Sequence, residues 1–298
     1  MIFEIHAALA GKRVDPRIAS AFDLVGQLPD YLVWVSRDTE GARRQYQNCA
    51  SKQALSLPAD LQLAEPPRPL LPGWCSLHIH FELKAPWYSK DDRPFHVLPN
   101  PVRKDRIFGV PFMSASSWKG LLRWSCRMEH GLLDHLAKHD GKLYDWRDPP
   151  WIVHLFGNAK SKEENFSRGA LRCFPTWFDK VDFEVINPHD RARRAGTAPI
   201  VYEVVPAGCK ATLHLLYAPP PSGAEAQQVE SADVLARLLE ATRKLLTVYG
   251  FSAKRTAGWG IAEIHGCEIR SRSGAEKCTG GDLKVALREL LRAPGGEG

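Results

Sequence analysis

The sequence has no run of about 18 or more apolar residues, the length that a membrane-spanning helix needs. It also lacks the features of a secretory signal. Its first residues, MIFEIHAALAGKRVD, carry Glu4 and no cationic region ahead of the apolar stretch. We therefore expect a cytoplasmic protein that makes no use of a membrane.

No two cysteines form a CxxC pair, and an odd, scattered set is typical of reduced thiols in the cytoplasm. Cys126 and His130 lie four residues apart on a predicted helix, but two ligands do not make a metal site. We expect neither a metal nor a cofactor. The seven cysteines are Cys49, Cys75, Cys126, Cys173, Cys209, Cys267 and Cys278.

Two nucleotide-binding motifs are also missing, since no GxxxxGK[ST] loop and no GxGxxG turn after a strand occurs. The aromatic RNP motif of RRM domains is absent, which counts against a general RRM-type RNA-binding protein, although that function stays an alternative.

What the sequence does have is a mild excess of positive charge, with a formal net charge of +6. Such an excess permits nucleic-acid binding without showing it, and a solvated basic surface would explain it equally well. Arg191, Arg193 and Arg194 form one basic cluster, and Lys254 and Arg255 adjoin glycine-rich sequence.

The N-terminal part is uneven. We interpret residues 1–73 as an accessory region and linker, in which the stretch around ARRQYQNCA predicts a short helix and Pro58–Gly73 an extended connector. The stretch WCSLHIHFEL then predicts a strand, because apolar and polar residues alternate. Its histidines, on the polar face, are expected at a solvated sheet surface. The basic loop Lys84–Val110 follows, and we expect it to be mobile in the free protein.

A helix is predicted to begin at Ser116 or Ser117, either of which can act as N-cap. Its apolar face is predicted to consist of Leu121, Met128, Leu132 and Leu136, with Leu122 and Leu133 beside it. An insertion is predicted at about residues 141–167. The remaining predicted elements are strands at Ala170–Phe174, Pro199–Val205, Lys210–Tyr217 and Ile261–Ile269, and helices at Ala232–Val248 and Leu283–Leu291.

This order of strand, helix, strands, helix and strand predicts an α+β fold. The core would be ferredoxin-like or RRM-like and span residues 74–298, with the insertion and the N-terminal arm as additions.

The stretch SSWKG has the composition of an anion-binding helix start. A helix N-terminus leaves backbone N–H groups unpaired and carries a partial positive charge. Lys119 adds a full charge, Gly120 allows another chain to approach, and Arg123 shares the face of Lys119. An ordinary N-cap with solvated cations is the alternative.

The stretch SAKRTAGWG offers similar chemistry. Lys254 and Arg255 could contact phosphates, and Gly258 and Gly260 permit backbone conformations closed to other residues. Trp259 could stack on a base or belong to the core.

Five segments in order resemble the CRISPR-associated RAMP superfamily. They are GVPFMSASSWKGLLR, HLFG, EVINPHDR, YEVVPAG and SAKRTAGWGIAEI, and they cover about Trp74 to Cys267. Within that superfamily, the combination of INPH with AKRTAGWG most resembles the subunit that caps the backbone filament of type III-B (Cmr) effector complexes.

The resemblance implies an RNA-binding assembly subunit of an RNA-guided antiviral complex. Its partners would be CRISPR RNA, complementary target RNA and other effector subunits, and it would grip the backbone of the CRISPR RNA or of the guide–target duplex. The residues it implicates in RNA binding are Ser116, Ser117, Lys119, Gly120, Arg123, Arg191, Lys254, Arg255, Gly258, Trp259 and Gly260.

The sequence departs from the superfamily at two positions. Ala115 replaces the usual glycine before the paired serines, and Pro99 stands where target-cleaving members place an aspartate. We therefore favour a subunit with no catalytic residue of its own. The alternative is a ribonuclease that cleaves target RNA or processes CRISPR RNA, using Asp91, Asp92 or His189.

Overall fold

The computed structural model describes residues 39–57, 69–91, 96–158, 168–190, 195–196, 198–219 and 229–277. The predicted helix Leu283–Leu291 and part of the N-terminal region lie outside these ranges. Among the helices that the structure describes, none combines the length and apolar character needed to cross a bilayer.

The helices are α1 (Thr39–Ala50), α2 (Ala115–Glu129), α3 (Leu132–Lys138), α4 (Pro150–Phe156) and α5 (Ser231–Lys244). A π-helical turn (Leu245–Tyr249) extends α5, and a 3₁₀ turn covers Arg255–Ala257. The strands are β1 (Cys75–Leu83), β2 (Phe112–Met113), β3 (Leu171–Cys173), β4 (Thr176–Trp177), β5 (Asp182–Ile186), β6 (His189–Asp190), β7 (Ala195–Gly196), β8 (Ile200–Val204), β9 (Lys210–Tyr217), β10 (Ala262–Ser271) and β11 (Ala275–Lys277).

The central sheet confirms the α+β prediction. Its strand order is β11-β10-β1-β9-β3, and every neighbouring pair is antiparallel. With α2 after β1 and α5 after β9, the strands β1, β3, β9 and β10 have the order 4-1-3-2 of a ferredoxin-like unit. In this topology, the segment that follows α2 and the segment that follows α5 belong to the same hydrophobic core.

One face of the sheet packs against α2 and α5. The odd-numbered residues of β1 from Cys75 to Leu83 are buried, as their apolar side chains require. Trp118, Leu122 and Cys126 recur at helical spacing along α2 and are also buried. The Ser125 hydroxyl donates to the Ala241 carbonyl oxygen of α5 at 2.7 Å, which ties the two helices together.

Burial of the second face of β1 corrects one expectation. His78 is 2% exposed rather than solvated. Its ring nitrogens have partners within the protein, since Nδ1 lies 2.9 Å from Nδ1 of His214 on β9 and Nε2 lies 3.0 Å from the Ser76 hydroxyl. Burial, followed by the neighbouring histidines, lowers the pKa of His214 to about 4. His80, nearer the end of β1, is exposed as expected.

The helix predicted from Ser116 or Ser117 differs in three respects. Ser114 is the N-cap, and its hydroxyl accepts from the Ser117 N–H at 3.2 Å. The helix ends at Glu129, because Gly131 adopts a positive φ of 91° and begins the separate helix α3. The buried face is that of Trp118 and Leu122 rather than that of Leu121 and Met128.

The described part of the basic loop, residues 84–91 and 96–110, packs against the fold. Its contacts favour an ordered loop, whereas the sequence predicts a mobile one, and hydrogen exchange on the free chain distinguishes the two. Trp87, Leu98 and Val102 are among the loop's buried residues. Lys104, also buried, forms an ion pair with Glu203 of β8 at 2.5 Å. Burial acts to raise the pKa of Glu203, but Lys104, His96 and the Tyr46 hydroxyl together outweigh it, so the pKa is lowered. The buried apolar residues of the loop, among them Trp87, Tyr88, Val97 and Leu98, are irregularly spaced, which is why the sequence shows no period there.

Helix α1 joins the same core, where Ala42, Tyr46 and Ala50 are buried. The Tyr46 hydroxyl donates to Glu203 Oε1 at 2.8 Å, so α1, the basic loop and β8 meet at one buried carboxylate. This network sets the position of α1 beside β8.

Candidate nucleic-acid interface

The fold brings SSWKG and SAKRTAGWG together, although they are far apart in sequence. Trp118 of α2 stacks on Phe251, which directly precedes the second stretch, with ring centroids 4.9 Å apart and an interplanar angle of 29°. The indole N–H of Trp118 donates to the Thr176 hydroxyl at 2.9 Å. Because both rings are buried, they hold the start of α2 against this stretch.

The stretch Ser252–Gly260, here called the glycine loop, is closed by a close approach of backbone to backbone. Gly260 has a φ of +77°, and a Cβ built on it would lie 2.6 Å from the Ser252 nitrogen. The Phe251 N–H donates to the Gly260 carbonyl oxygen at 3.2 Å, and the Gly260 N–H donates to Pro86 at 2.8 Å. Only glycine fits at residue 260 without moving these segments.

Hydrogen bonds join the glycine loop to the start of the basic loop. The Ser252 hydroxyl accepts from the Tyr88 N–H at 3.0 Å and donates to the Tyr88 carbonyl oxygen at 3.1 Å. The Ala253 N–H donates to the same carbonyl oxygen at 2.9 Å. The two loops therefore form a single wall opposite α2.

The start of α2 leaves backbone donors available. The Ser114 hydroxyl accepts from the Ser117 N–H, while within the described part of the chain the amides of Ala115 and Ser116 have no hydrogen-bond acceptor. The hydroxyls of Ser116 and Ser117 lie 3.0 and 2.8 Å from that of Ser114. This arrangement of N–H and hydroxyl groups can bind an anion.

A cleft of about 260 Å³ lies between these elements. Two arginines line it, Arg103 from the basic loop and Arg255 from the glycine loop, and among the described residues no acidic residue, histidine or cysteine does. The other lining residues are Trp87, Tyr88, Ser89, Met113, Ser114, Ser117, Leu121, Phe251, Ser252 and Ala253. Its cations, hydroxyls and helix start favour an anionic ligand such as a phosphodiester.

The sequence-predicted cations fall into different environments. Arg255 lines the cleft and lies over the Trp124 ring at 4.5 Å, and Lys254 lies over the Tyr202 ring at 4.4 Å. Lys119 lies on the side of α2 near β3. Burial raises the pKa of Cys173 on β3 to about 12, and the charge of Lys119 opposes that rise. Arg191 lies outside the described residues.

Arg123 is committed to an ion pair. Its Nε and Nη2 donate to Asp148 Oδ2 at 2.9 and 2.6 Å. Arg127 and the indole of Trp146 donate to the same carboxylate. Burial acts to raise the pKa of Asp148, but these hydrogen bonds outweigh it and lower the pKa to about 2.

The glycines and Trp259 are placed as follows. A Cβ on Gly120 would meet no atom within 4 Å, and the same holds for the exposed Gly258, which has a φ of +78°. Trp259 is half-buried, with its ring at right angles to those of Tyr88 and Tyr202. It packs on the core and keeps part of its surface exposed.

Of the three weak catalytic alternatives, the structure describes the side chain of Asp91. Asp91 does not line the cleft, Asp92 lies outside the described residues, and so does the side chain of His189. Pro99 lines a separate cleft. Among the described residues, no three side chains of histidine, cysteine, aspartate or glutamate are placed to hold a metal ion.

Sequence reasoning missed Arg103, Ser89 and Ser252, which line the cleft. Arg103 lies in the stretch PNPVRKD, whose charge is visible in the sequence. Nothing in that stretch shows which of its two cations reaches the cleft and which, like Lys104, is buried.

No curated protein matches the sequence at a significant level. One solved chain, from a structure described as "Cryo-EM structure of the Type III-B Cmr-beta bound to cognate target RNA", is 13% identical with a TM-score of 0.45. That match covers 67% of this chain and 61% of the solved one, less than two thirds of its length.

A family model supplies the assignment. The model of the RAMP superfamily matches residues 76–263, which is more than half of the chain. The match runs from the second residue of β1 to the second residue of β10 and includes both segments that line the cleft. The chain therefore belongs to the RAMP superfamily.

Proposed function

We propose that this protein is an RNA-binding assembly subunit of a type III CRISPR RNA-guided interference complex. In this role it grips the backbone of the CRISPR RNA or of the guide–target duplex. The observation that carries the proposal is the meeting of the α2 start and the glycine loop at one cleft with Arg103 and Arg255. The motif INPH and the sequence AKRTAGWG favour the filament-capping position of a type III-B (Cmr) complex.

Backbone recognition follows from the chemistry of this surface. Phosphate oxygens accept hydrogen bonds from N–H groups, hydroxyls and guanidinium groups, all of which the cleft presents. Such contacts hold any RNA sequence equally well, so sequence would be specified by base pairing with the guide. Trp259 and Tyr202 flank the cations and could stack on a base.

Arg255 is the strongest of the proposed phosphate ligands, because it lines the cleft. Lys254 and Lys119 are nearby cations, and Ser117 and Ser116 belong to the helix start. Arg123 contributes through the position of α2 rather than through a free charge, since Asp148 holds it. Gly120 and Gly258 leave space for a ligand at this surface, and Gly260 allows the close approach of the protein backbone that shapes the glycine loop.

We propose that catalysis is not part of this role. A general acid or base contributes about 10²–10⁴-fold to a rate, and within the described part of the chain no carboxylate or imidazole lines the cleft. The alternative ribonuclease would require Asp91, Asp92 or His189. In an assembled complex with complementary target RNA and a divalent metal, changing each to alanine is expected to leave every cut intact. Loss of one specific cut would favour the alternative.

The test of RNA binding is the salt dependence of affinity for single-stranded RNA. The double variant Lys254→Ala and Arg255→Ala is expected to reduce the slope of log K against log salt by about 1.4, at about 0.7 per phosphate contact. The matched control removes two exposed cations elsewhere, Lys138→Ala and Lys142→Ala, and should leave the slope unchanged. An unchanged slope in a folded Lys254/Arg255 variant would reject this surface.

A further inference from the structure

A second cleft, of about 570 Å³, opens between α1 and β8. Helix α1 contributes a polar face at helical spacing, and the opposite wall is mainly apolar. The α1 residues are Glu40, Arg43, Arg44 and Gln47, and the opposite wall consists of Leu98, Pro99, Asn100 and the segment Ala198–Val201.

The outer edge of β8 forms part of this wall. The Glu203 N–H donates to the Asn100 carbonyl oxygen at 3.0 Å, so the backbone polar groups of residues 201 and 203 point away from β5. The Val201 carbonyl oxygen accepts from the Asn100 side chain at 3.3 Å. The Val201 N–H, by contrast, has no acceptor among the described residues. One position of the edge is therefore open to an added strand.

The charges at this cleft are those of a site for a single acidic group. Arg44 is exposed and has no ion-pair partner within the described ranges, whereas the Nε of Arg43 donates to the Val97 carbonyl oxygen at 3.3 Å. Glu40 offsets one of the two arginines. An acidic side chain opposite Arg44 would offset the charge of the other arginine.

The lining favours a polypeptide over RNA. Among the described residues no aromatic ring lines this cleft, so an unpaired base would find none there of the aromatic faces on which bases stack. Leu98, Ile200 and Val201 instead present aliphatic surface, which suits aliphatic side chains, and the Val201 N–H suits a peptide carbonyl oxygen.

We infer that the α1–β8 cleft docks an extended segment of a neighbouring protein subunit, with an acidic side chain paired to Arg44. The segment adds to the edge of β8 at Val201 and packs aliphatic side chains on the opposite wall. The inference rests on the proposed function only in that the neighbour is another subunit of the complex.

The first test is hydrogen exchange at the Val201 amide, resolved by fragmentation, in the free chain and in the purified complex. Exchange is expected to slow at least about tenfold in the complex and to stay slow after ribonuclease treatment. The amide of Val185 serves as the control, because Val185 pairs with Val201 from the neighbouring strand β5 and does not line the cleft. Exchange that recovers after ribonuclease would show that RNA covers the cleft and would overturn the inference.

Two other outcomes separate this inference from the proposed function. Partner subunits that co-purify while the Val201 amide exchanges as fast as in the free chain would overturn the docking alone. A chain that recruits no other subunit would overturn the docking together with the assembly role.

The second test uses charge. Arg44→Glu is expected to weaken association with the partner subunits by about tenfold without changing the salt slope of RNA binding. Lys52→Glu, also exposed and just beyond the end of α1, is the matched control and should do neither. Unchanged association of the folded Arg44→Glu variant would overturn the inference.

Discussion

Replacing Asp148 with alanine removes the carboxylate that holds the middle of α2. Asp148 is only 5% exposed, and it accepts hydrogen bonds from Arg123, Arg127 and Trp146 at 2.6–2.9 Å. Two of these donors belong to α2, whose first turn lines the proposed RNA-binding cleft. The substitution leaves both arginines without their carboxylate, so the fold should lose stability.

The size of the loss follows from the pKa of Asp148. The surrounding donors lower the pKa of this carboxyl from its ordinary value of 3.8 to about 2, and each pKa unit corresponds to about 1.4 kcal/mol. After the opposing effect of burial, the ionised carboxyl is therefore stabilised in the folded chain by a net of about 2 kcal/mol at neutral pH. Because the folded pKa is depressed, this contribution is complete above about pH 4. It is lost as the pH falls through about 2, and about half of it remains near pH 3.

Urea unfolding of the wild type and of Asp148→Ala, from pH 7 down to pH 3, measures the size of the stability loss and its dependence on pH. The difference in unfolding free energy should be about 2 kcal/mol at pH 7 and should shrink as the solution becomes acidic. Glu240→Ala removes an exposed ion pair with Arg243 and should cost less than about 0.5 kcal/mol. A loss for Asp148→Ala no larger than for this control, or one independent of pH, would refute the reasoning.

Two further predictions concern the loops. Gly260→Ala should destabilise the fold far more than Gly258→Ala. Both glycines have a positive φ, which costs a non-glycine residue about 1 kcal/mol, but only the Cβ at residue 260 would meet backbone, at 2.6 Å. Equal losses in thermal unfolding would contradict this. In the free chain, the amides of Trp87 and Arg103 should be protected from hydrogen exchange, since they donate to Val205 and Ser89 at 2.9 and 2.7 Å. Exchange as fast as in an unstructured peptide would instead support a basic loop that is mobile in the free protein.

Local patterns were enough to locate the central elements. The strand Lys210–Tyr217 was predicted with the bounds that the structure shows, because its apolar run is long and a glycine turn precedes it. The short helix around ARRQYQNCA and the long helix from Ala232 are also present, with ends shifted by a few residues. The order of these elements then determined the ferredoxin-like core, because few topologies accommodate it.

The N-cap of α2 could not be predicted, because three serines within four residues are all chemically able to cap. The choice of Ser114 depends on the direction in which β2 delivers the chain, and β2 is oriented by pairing with β4. The burial of His78 likewise depends on His214, which β9 brings to its side from more than a hundred residues away. Period-2 alternation identifies the two faces of a strand but not which of them will be covered.

The site divides in the same way. The residue types in SSWKG and SAKRTAGWG and their glycines determined that each segment could bind an anion, since helix starts, cations and glycine conformations are local properties. Only the tertiary structure decided that the two segments share one cleft, because the stacking of Trp118 on Phe251 joins parts of the chain that are distant in sequence. It also decided that Arg255 lines the cleft while Arg123 is held by Asp148, since the partner of a charge depends on packing.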